Sequence, residues 1–327
     1  MKKFVSIVGG SGFLGTKLSS LFRTSNIDHK IFDINFDKAS PNYIDVENVS
    51  SLDKLKDCSV IINLAAIHRD DVKPISKYDD VNIVGAENIC DCARKNNIST
   101  IIFTSSVAIY GFAPKNTGED GEPNYFNDYG RTKYKAELVY KSWQLEKPNE
   151  RTLVIIRPTV IFGEGNRGNV YNLLNQIYQK KFIMIGNGKN FKSMAYVDNV
   201  AAFIQYVLEK TSGTHIYNYI DKPDFDMNTL VKLIRKSLFN KNNVGLRLPV
   251  FVGLFFGYLA DLISFLFKIS LPISSIRVKK FTSNTLFSST INETKFEPPV
   301  KLTDALKNTI RYEFLEDNND EKKFYSE

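Results

Sequence analysis

The sequence predicts an α/β protein built on a Rossmann-type doubly wound parallel sheet, with a smaller interleaved C-terminal lobe. Three observations carry that expectation. A short apolar run, Phe4 to Val8, ends in glycines; strand-like runs then alternate with segments of helical periodicity; and after Pro158 the pattern becomes irregular. The apolar runs at Lys30–Ile34, Val60–Leu64, Thr100–Thr104 and Leu153–Ile156 are short and nearly continuous, as in strands buried on both faces. Between them the spans Tyr78–Lys95 and Asn127–Trp143 are free of proline and long enough to cross one face of the sheet. Glycine- and asparagine-rich loops at Gly163–Asn169 and Gly186–Asn190 open the second part of the chain. The expected organisation is a Rossmann-type domain over 1–165, to which about 190–210 returns, and a smaller lobe mainly over 166–315. The polar end, 316–327, is expected to fray.

Composition narrows the function classes. The chain has 327 residues, 43% hydrophobic and 24% charged, which excludes disorder, collagen and repeat arrays. Its net charge of +7 suits anionic ligands, phosphates or an anionic membrane surface, but the charge is spread along the chain and gives no block for nucleic acid. Cys58, Cys90 and Cys92 cannot make a disulfide framework, and with His29, His68 and His215 no metal-ligand spacing emerges, so no metal is expected. A reducing, cytoplasmic setting follows. Met1 to Phe4 leads straight into the first apolar run, which is too short for a secretory segment.

The turn Gly9-Gly10-Ser11-Gly12-Phe13-Leu14-Gly15 lies between the first strand and a helix. Glycines there permit a tight turn and bring backbone N–H groups to a pyrophosphate at the positive end of the helix. Asp33 follows Gly15 by 18 residues, at the end of the second strand. A carboxylate at that point accepts from the adenosine ribose hydroxyls and repels a 2′-phosphate, which favours NAD over NADP.

Tyr129-Gly130-Arg131-Thr132-Lys133 opens the long helix after the 100s strand, so Tyr129 and Lys133 share a face. A free phenol has a pKa of about 10, and a neighbouring ammonium favours the phenolate. Ser105 and Ser106 end the preceding strand, where a parallel sheet places its ligands. A hydroxyl there can share a substrate proton with Tyr129.

These residues resemble the extended short-chain dehydrogenase/reductase family, which includes the sugar-nucleotide 4-epimerases, over about 3–315. The resemblance implies Gly9, Ser11, Gly12, Phe13, Leu14 and Gly15 at the cofactor pyrophosphate and Asp33 at the ribose. It further implies Asp45 and Val46 beside the adenine, and Leu64, Ala65 and Ala66 under the cofactor, with Asn82, Ser105, Tyr129, Lys133 and Pro158 completing the NAD site. It assigns catalysis to Ser106, Tyr129 and Lys133, and substrate contacts to Ser106, Arg157, Arg167, Asn169, Lys192 and Arg277. Val8 stands where the family has a threonine, which removes one local hydrogen bond. A possible homodimer through a helix pair is a family trait that periodicity here does not demonstrate.

The stretches Ala66-Ile67-His68-Arg69-Asp70-Asp71-Val72, Lys192-Ser193-Met194-Ala195-Tyr196-Val197 and Ser275-Ile276-Arg277-Val278-Lys279-Lys280-Phe281 are similar to one subfamily. Its members are bacterial 4-epimerases of N-acetylglucosaminyl-diphospho-undecaprenol, which make the GalNAc epimer for surface-glycan (O-antigen) assembly. That resemblance implies a lipid-linked diphospho-sugar substrate and peripheral association with the inner face of the plasma membrane. A soluble UDP-N-acetylhexosamine 4-epimerase shares every catalytic residue and stays open, as do a 4-keto-sugar reductase and an NAD-binding protein without turnover. Family dehydratases carry an Asp-Glu pair after the catalytic hydroxyl; Val107 and Ala108 stand here, which disfavours elimination.

The segment Leu248–Phe267 carries one charge, Asp261, between Arg247 and Lys268. Its length would span a bilayer, but a central Asp costs roughly 2.5–3.5 kcal/mol on insertion scales. Two expectations remain: a helix lying in the membrane interface, assisted by Lys241, Arg247, Lys268, Lys279 and Lys280, or a core helix of the smaller lobe.

Overall fold

The structure, a computed structural model, describes residues 4–69, 72–267, 269, 271, 274–318 and 320–325. Asp70, Asp71 and Lys268, singled out in the sequence, lie outside the described residues. A six-stranded parallel sheet is made by β1 (Val5–Val8), β2 (His29–Phe32), β3 (Val60–Asn63), β4 (Thr100–Thr104), β5 (Thr152–Pro158) and β9 (Gly213–Tyr219), in the order β2-β1-β3-β4-β5-β9. Every residue of β1, β3 and β5 is buried, because the two main apolar clusters cover the two faces of the sheet. β9 lies within the span expected for the second lobe. It joins the main sheet because a parallel crossover through the helix before it leads back to the edge of β5.

The crossovers are α1 (Phe13–Thr24), α2 (Ser76–Asp79), α3 (Gly85–Lys95) and α4 (Asp128–Leu145). The single helix expected over 78–95 is divided: a π-helical turn at Asp80–Val84 separates α2 from α3. It coincides with Asn82, which is buried and turned inward, exchanging hydrogen bonds with both the N–H (2.9 Å) and the carbonyl (3.0 Å) of Ile67.

The second layer contains α5 (Asn169–Tyr178), α6 (Val197–Val207), α7 (Met227–Phe239), α8 (Val250–Phe267), α9 (Ser275–Thr282) and α10 (Leu302–Phe314). With them are the sheet β10-β8-β6, made of β6 (Val160–Phe162), β8 (Phe191–Tyr196) and β10 (Asp221–Asp226), and the pair β7 (Met184–Ile185) and β11 (Arg247–Leu248). α6 packs on α1.

α8 is not a core helix. Its buried residues are Gly253 and Gly257, whereas Phe251 is 73% and Phe265 78% exposed. The two glycines give the contact with the rest of the lobe: a Cβ on Gly253 would stand 2.8 Å from Ile185 and one on Gly257 2.8 Å from the Ser275 backbone. Asp261 has a local use, accepting the Ser275 N–H at 3.1 Å at the start of α9. The polar end of the chain, expected to fray, is paired at Phe324 with the loop after β6.

One buried ion pair joins the layers. Arg157, at the end of fully buried β5, donates to Glu137 on α4 at 2.9 and 2.6 Å. The same guanidinium reaches the Tyr110 hydroxyl (2.5 Å) and the Glu119 carbonyl (2.8 Å). Glu119 Oε1 in turn accepts from the N–H groups of Asn218 and Thr290, both at 2.9 Å. Arg157 is expected on the substrate side; its donors are instead turned into the protein, because a cation in a fully buried strand must be paired there. Arg157→Met, which strands Glu137, is expected to cost about 3–5 kcal/mol. The paired change Arg157→Met with Glu137→Leu should cost much less. Urea unfolding of the three proteins checks this, and equal losses in single and double variants would refute it.

Candidate active site

The glycine turn follows directly from β1. Gly9 has φ +79°, and a Cβ there would stand 2.7 Å from the Ala65 nitrogen, where the β3 end passes beneath the turn. Gly15 lies against the turn itself, with a would-be Cβ 2.6 Å from the Gly9 carbonyl. Gly12 is the N-cap of α1 and supplies no side-chain cap, so the first amides of the helix have no capping side chain from it. Asp33, buried at the end of β2, accepts from Ser11 N (3.0 Å) and Asn35 N (3.1 Å). The carboxylate therefore shapes the turn. Asp45 caps its own turn through Glu47 N at 3.0 Å, and Val46 packs under Gly85. Leu64, Ala65 and Ala66 are half-buried at the sheet edge, and Pro158 is buried where β5 ends.

Asn127 caps α4 by accepting from Gly130 N at 2.9 Å, which fixes the first helical turn with Tyr129 in it. Gly130 abuts the turn after Ser106; a Cβ would be 2.5 Å from the Ala108 carbonyl. The hydroxyl of Ser106 caps that turn through Ala108 N at 3.1 Å, and both Ser106 and Tyr129 are half-buried. Asn82 reaches Thr132 at 2.9 Å, tying the Ile67 segment to the same helix. The expected catalytic residues are thus carried by two backbone segments in direct contact.

Lys133 is one turn further into α4 and buried, with its ammonium 4.2 Å over the Phe103 ring. Burial pushes it down to about 7, against a weaker upward pull from Glu137, which is already held by Arg157. Among the described residues the buried hydroxyls of Thr104 and Ser105 have no hydrogen-bond partner. Beside the Lys133 ammonium, these two hydroxyls near the end of β4 are left for a ligand rich in hydroxyls. With the uncapped glycine turn and Asp33, they fit a nicotinamide dinucleotide laid across the sheet edge.

The substrate-side expectations divide. Arg167 is not directed at a ligand: it pairs with buried Glu313 on α10 at 2.5 Å and stacks on Tyr171 at 4.0 Å. A guanidinium beside a buried carboxylate is held by it. Asn169 is exposed as the first residue of α5, and Arg277 is exposed in the first turn of α9. Lys192 is half-buried on β8 and donates to the carbonyls of Lys280 (2.9 Å) and Ser283 (2.8 Å) at the end of α9; burial lowers its ammonium to about 8. Lys280, expected only as an aid to membrane docking, lies 4.7 Å over Phe126, three residues before Tyr129. No local signal marks that contact, since it joins distant segments.

A cation left alone in the interior makes a sharp prediction for Lys133→Met. The folded protein releases this proton near pH 7 and the unfolded chain near 10.5, so wild-type stability rises with pH between those values. The variant should lose that part of the rise and melt at or above the wild-type temperature at pH 7, while turnover falls about 100-fold or more. Calorimetry across pH 6–10 beside a turnover assay checks it; a large fall in melting temperature at pH 7 would refute the uncompensated cation.

Residues 5–219 match the NAD dependent epimerase/dehydratase family. The chain is 43% identical, over the full length of both proteins, to the N-acetyl-α-D-glucosaminyl-diphospho-ditrans,octacis-undecaprenol 4-epimerase of Escherichia coli O157:H7. Its fold is similar to the UDP-N-acetylglucosamine 4-epimerase of Bacillus cereus, with a TM-score of 0.71, 17% identity, and 94% of this chain and 95% of that one covered. It is likewise similar to the UDP-glucuronic acid 4-epimerase of Bacillus cereus in complex with NAD, with a TM-score of 0.70, 18% identity, and 94% and 98% covered. On the matched span, the full-length relative and a cleft whose unpaired groups suit the dinucleotide, the chain is an enzyme of the NAD dependent epimerase/dehydratase family, with NAD as its cofactor.

Proposed function

We propose that the enzyme interconverts GlcNAc and GalNAc on undecaprenyl diphosphate, working at the cytoplasmic face of the plasma membrane. The observation that carries this reading is α8: an exposed apolar helix packed on α9, whose last carbonyls hold Lys192. A nucleotide-linked sugar gives such a helix no use, whereas a polyprenyl tail does. The full-length relative named for the lipid-linked substrate supports the same choice.

In this reading Gly9, Ser11, Gly12, Phe13, Leu14 and Gly15 receive the pyrophosphate, Asp33 the adenosine ribose, and Lys133 and Ser105 the nicotinamide end. NAD, when bound, supplies reversible oxidation at sugar carbon 4. Tyr129 Oη takes the proton of the 4-hydroxyl, with Ser106 Oγ as the adjoining donor and acceptor, and returns it after the keto sugar has turned over. Lys133, able to hold or release a proton near neutrality, steadies the phenolate. Val107 and Ala108 supply no carboxylate to drive loss of water. Lys192, Arg277 and Asn169 hold the diphosphate, so that binding energy sits on the part of the substrate that does not turn.

α8 lies in the membrane interface and does not cross the bilayer. Gly253 is tied to β7 through Ile185, and Gly257 and Asp261 are tied to the start of α9, so the middle of the helix stays on the polar lobe. Its outward phenylalanines and leucines enter the acyl boundary, and Lys279, 5.5 Å over Tyr258, faces lipid phosphates.

Purified enzyme without added reductant should interconvert GlcNAc and GalNAc on diphospho-undecaprenol and leave UDP-GlcNAc unchanged. Conversion of UDP-GlcNAc alone would transfer the assignment to a soluble epimerase. Tyr129→Phe should lose turnover by about 100-fold or more with NAD still bound. Replacing Phe251, Phe255 and Leu262 together by serine should release the protein from anionic vesicles in co-sedimentation, with its melting temperature held; undiminished vesicle binding would overturn the role of α8.

A further inference from the structure

We propose that residues 320–325 form a strap across the dinucleotide cleft that sets how long NAD stays bound. This inference rests on the cofactor and is independent of the sugar or its carrier. The cleft has two walls here. One is the glycine turn with the start of α1; the other is the Gly163–Arg167 loop after β6, whose Gly163 lies against Phe13, with a would-be Cβ 3.2 Å from that ring.

The strap is attached to both walls. Phe324 pairs with the loop in both directions, its N–H donating to the Gly165 carbonyl at 2.9 Å and its carbonyl accepting from Arg167 N at 2.7 Å. Its ring lies 5.6 Å from that of Phe13, the first residue of α1. Lys322 donates to the Ser11 carbonyl in the glycine turn at 3.0 Å and lies 4.8 Å over the Phe324 ring. The loop is itself fixed from behind, because Glu313 on α10 accepts from Gly165 N at 2.7 Å and pairs with Arg167.

With that wall anchored, the strap's hold on Ser11 and Phe13 decides how far the two walls can separate. A dinucleotide whose pyrophosphate lies at the α1 N-terminus must pass between them to leave. Lys322 adds a cation at the same turn, and among the described residues no carboxylate pairs with it. Such a strap suits an enzyme whose cofactor ends each cycle in the state in which it began, since nothing in the reaction requires its exit.

The test compares the full chain with a variant ending at Asn318, with Phe324→Ala, and with Lys322→Ala and Lys322→Arg. NAD release is followed by rapid gel filtration and assay of the NAD left on the protein, and apo melting temperatures are recorded alongside. Release should quicken about tenfold in the truncation and in Phe324→Ala, and about threefold in Lys322→Ala, with Lys322→Arg near wild type. The Lys322 effect should shrink with added salt and the Phe324 effect should not. Unchanged release in all variants would overturn the proposal. So would faster release in the truncation and Phe324→Ala that only follows an equivalent fall in apo melting temperature while exposed Lys322→Ala releases normally, because the tail would then be structural support alone.

Discussion

The buried pair between Arg157 and Glu137 is the constraint on which the site depends. β5 is buried along its whole length, so the guanidinium at its end can exist only with a carboxylate opposite it. Glu137 answers that demand, with the Lys141 ammonium also 3.9 Å from its carboxylate. Lys133, one turn earlier on the same helix, is left in the interior with an aromatic face and no carboxylate of its own. Its depressed proton affinity follows from burial, which the upward pull of Glu137 only partly offsets. The same guanidinium holds Tyr110 and the Glu119 backbone, and so fixes the loop that leads from Ser106 round to Asn127. One structural cation thus sets the shape of the mouth.

That division of labour explains what could be read from the chain. The strands were legible because burial on both faces leaves no polar alternation, and the start of α4 because Asn127 caps it locally. The glycine turn and Asp33 were legible because they lie within one short strand–turn–helix–strand unit. Arginines were not. Arg157 meets Glu137 twenty residues away and Arg167 meets Glu313 across 146, and nothing in the sequence distinguishes a guanidinium facing a phosphate from one facing a distant carboxylate. The last strand of the main sheet and the paired end of the chain were hidden for the same reason: each is defined by what it meets after a long excursion.

Lys192 is the reverse case, a cation placed by main chain and not by charge. Two carbonyls at the end of α9 hold its ammonium, in keeping with the negative end of a helix. α9 has little core of its own: Val278 is its one buried residue, and its first turn is capped in part by Asp261 of α8. The position of Lys192 therefore depends on α9, and that of α9 on the glycine face of α8. Lys280, on the same helix, touches Phe126 just ahead of the catalytic turn. If α8 is seated in lipid as proposed, the surface that carries the substrate also steadies the cation for its diphosphate and the aromatic beside Tyr129. The single apolar helix is then more than an anchor, because the geometry of the sugar end passes through it.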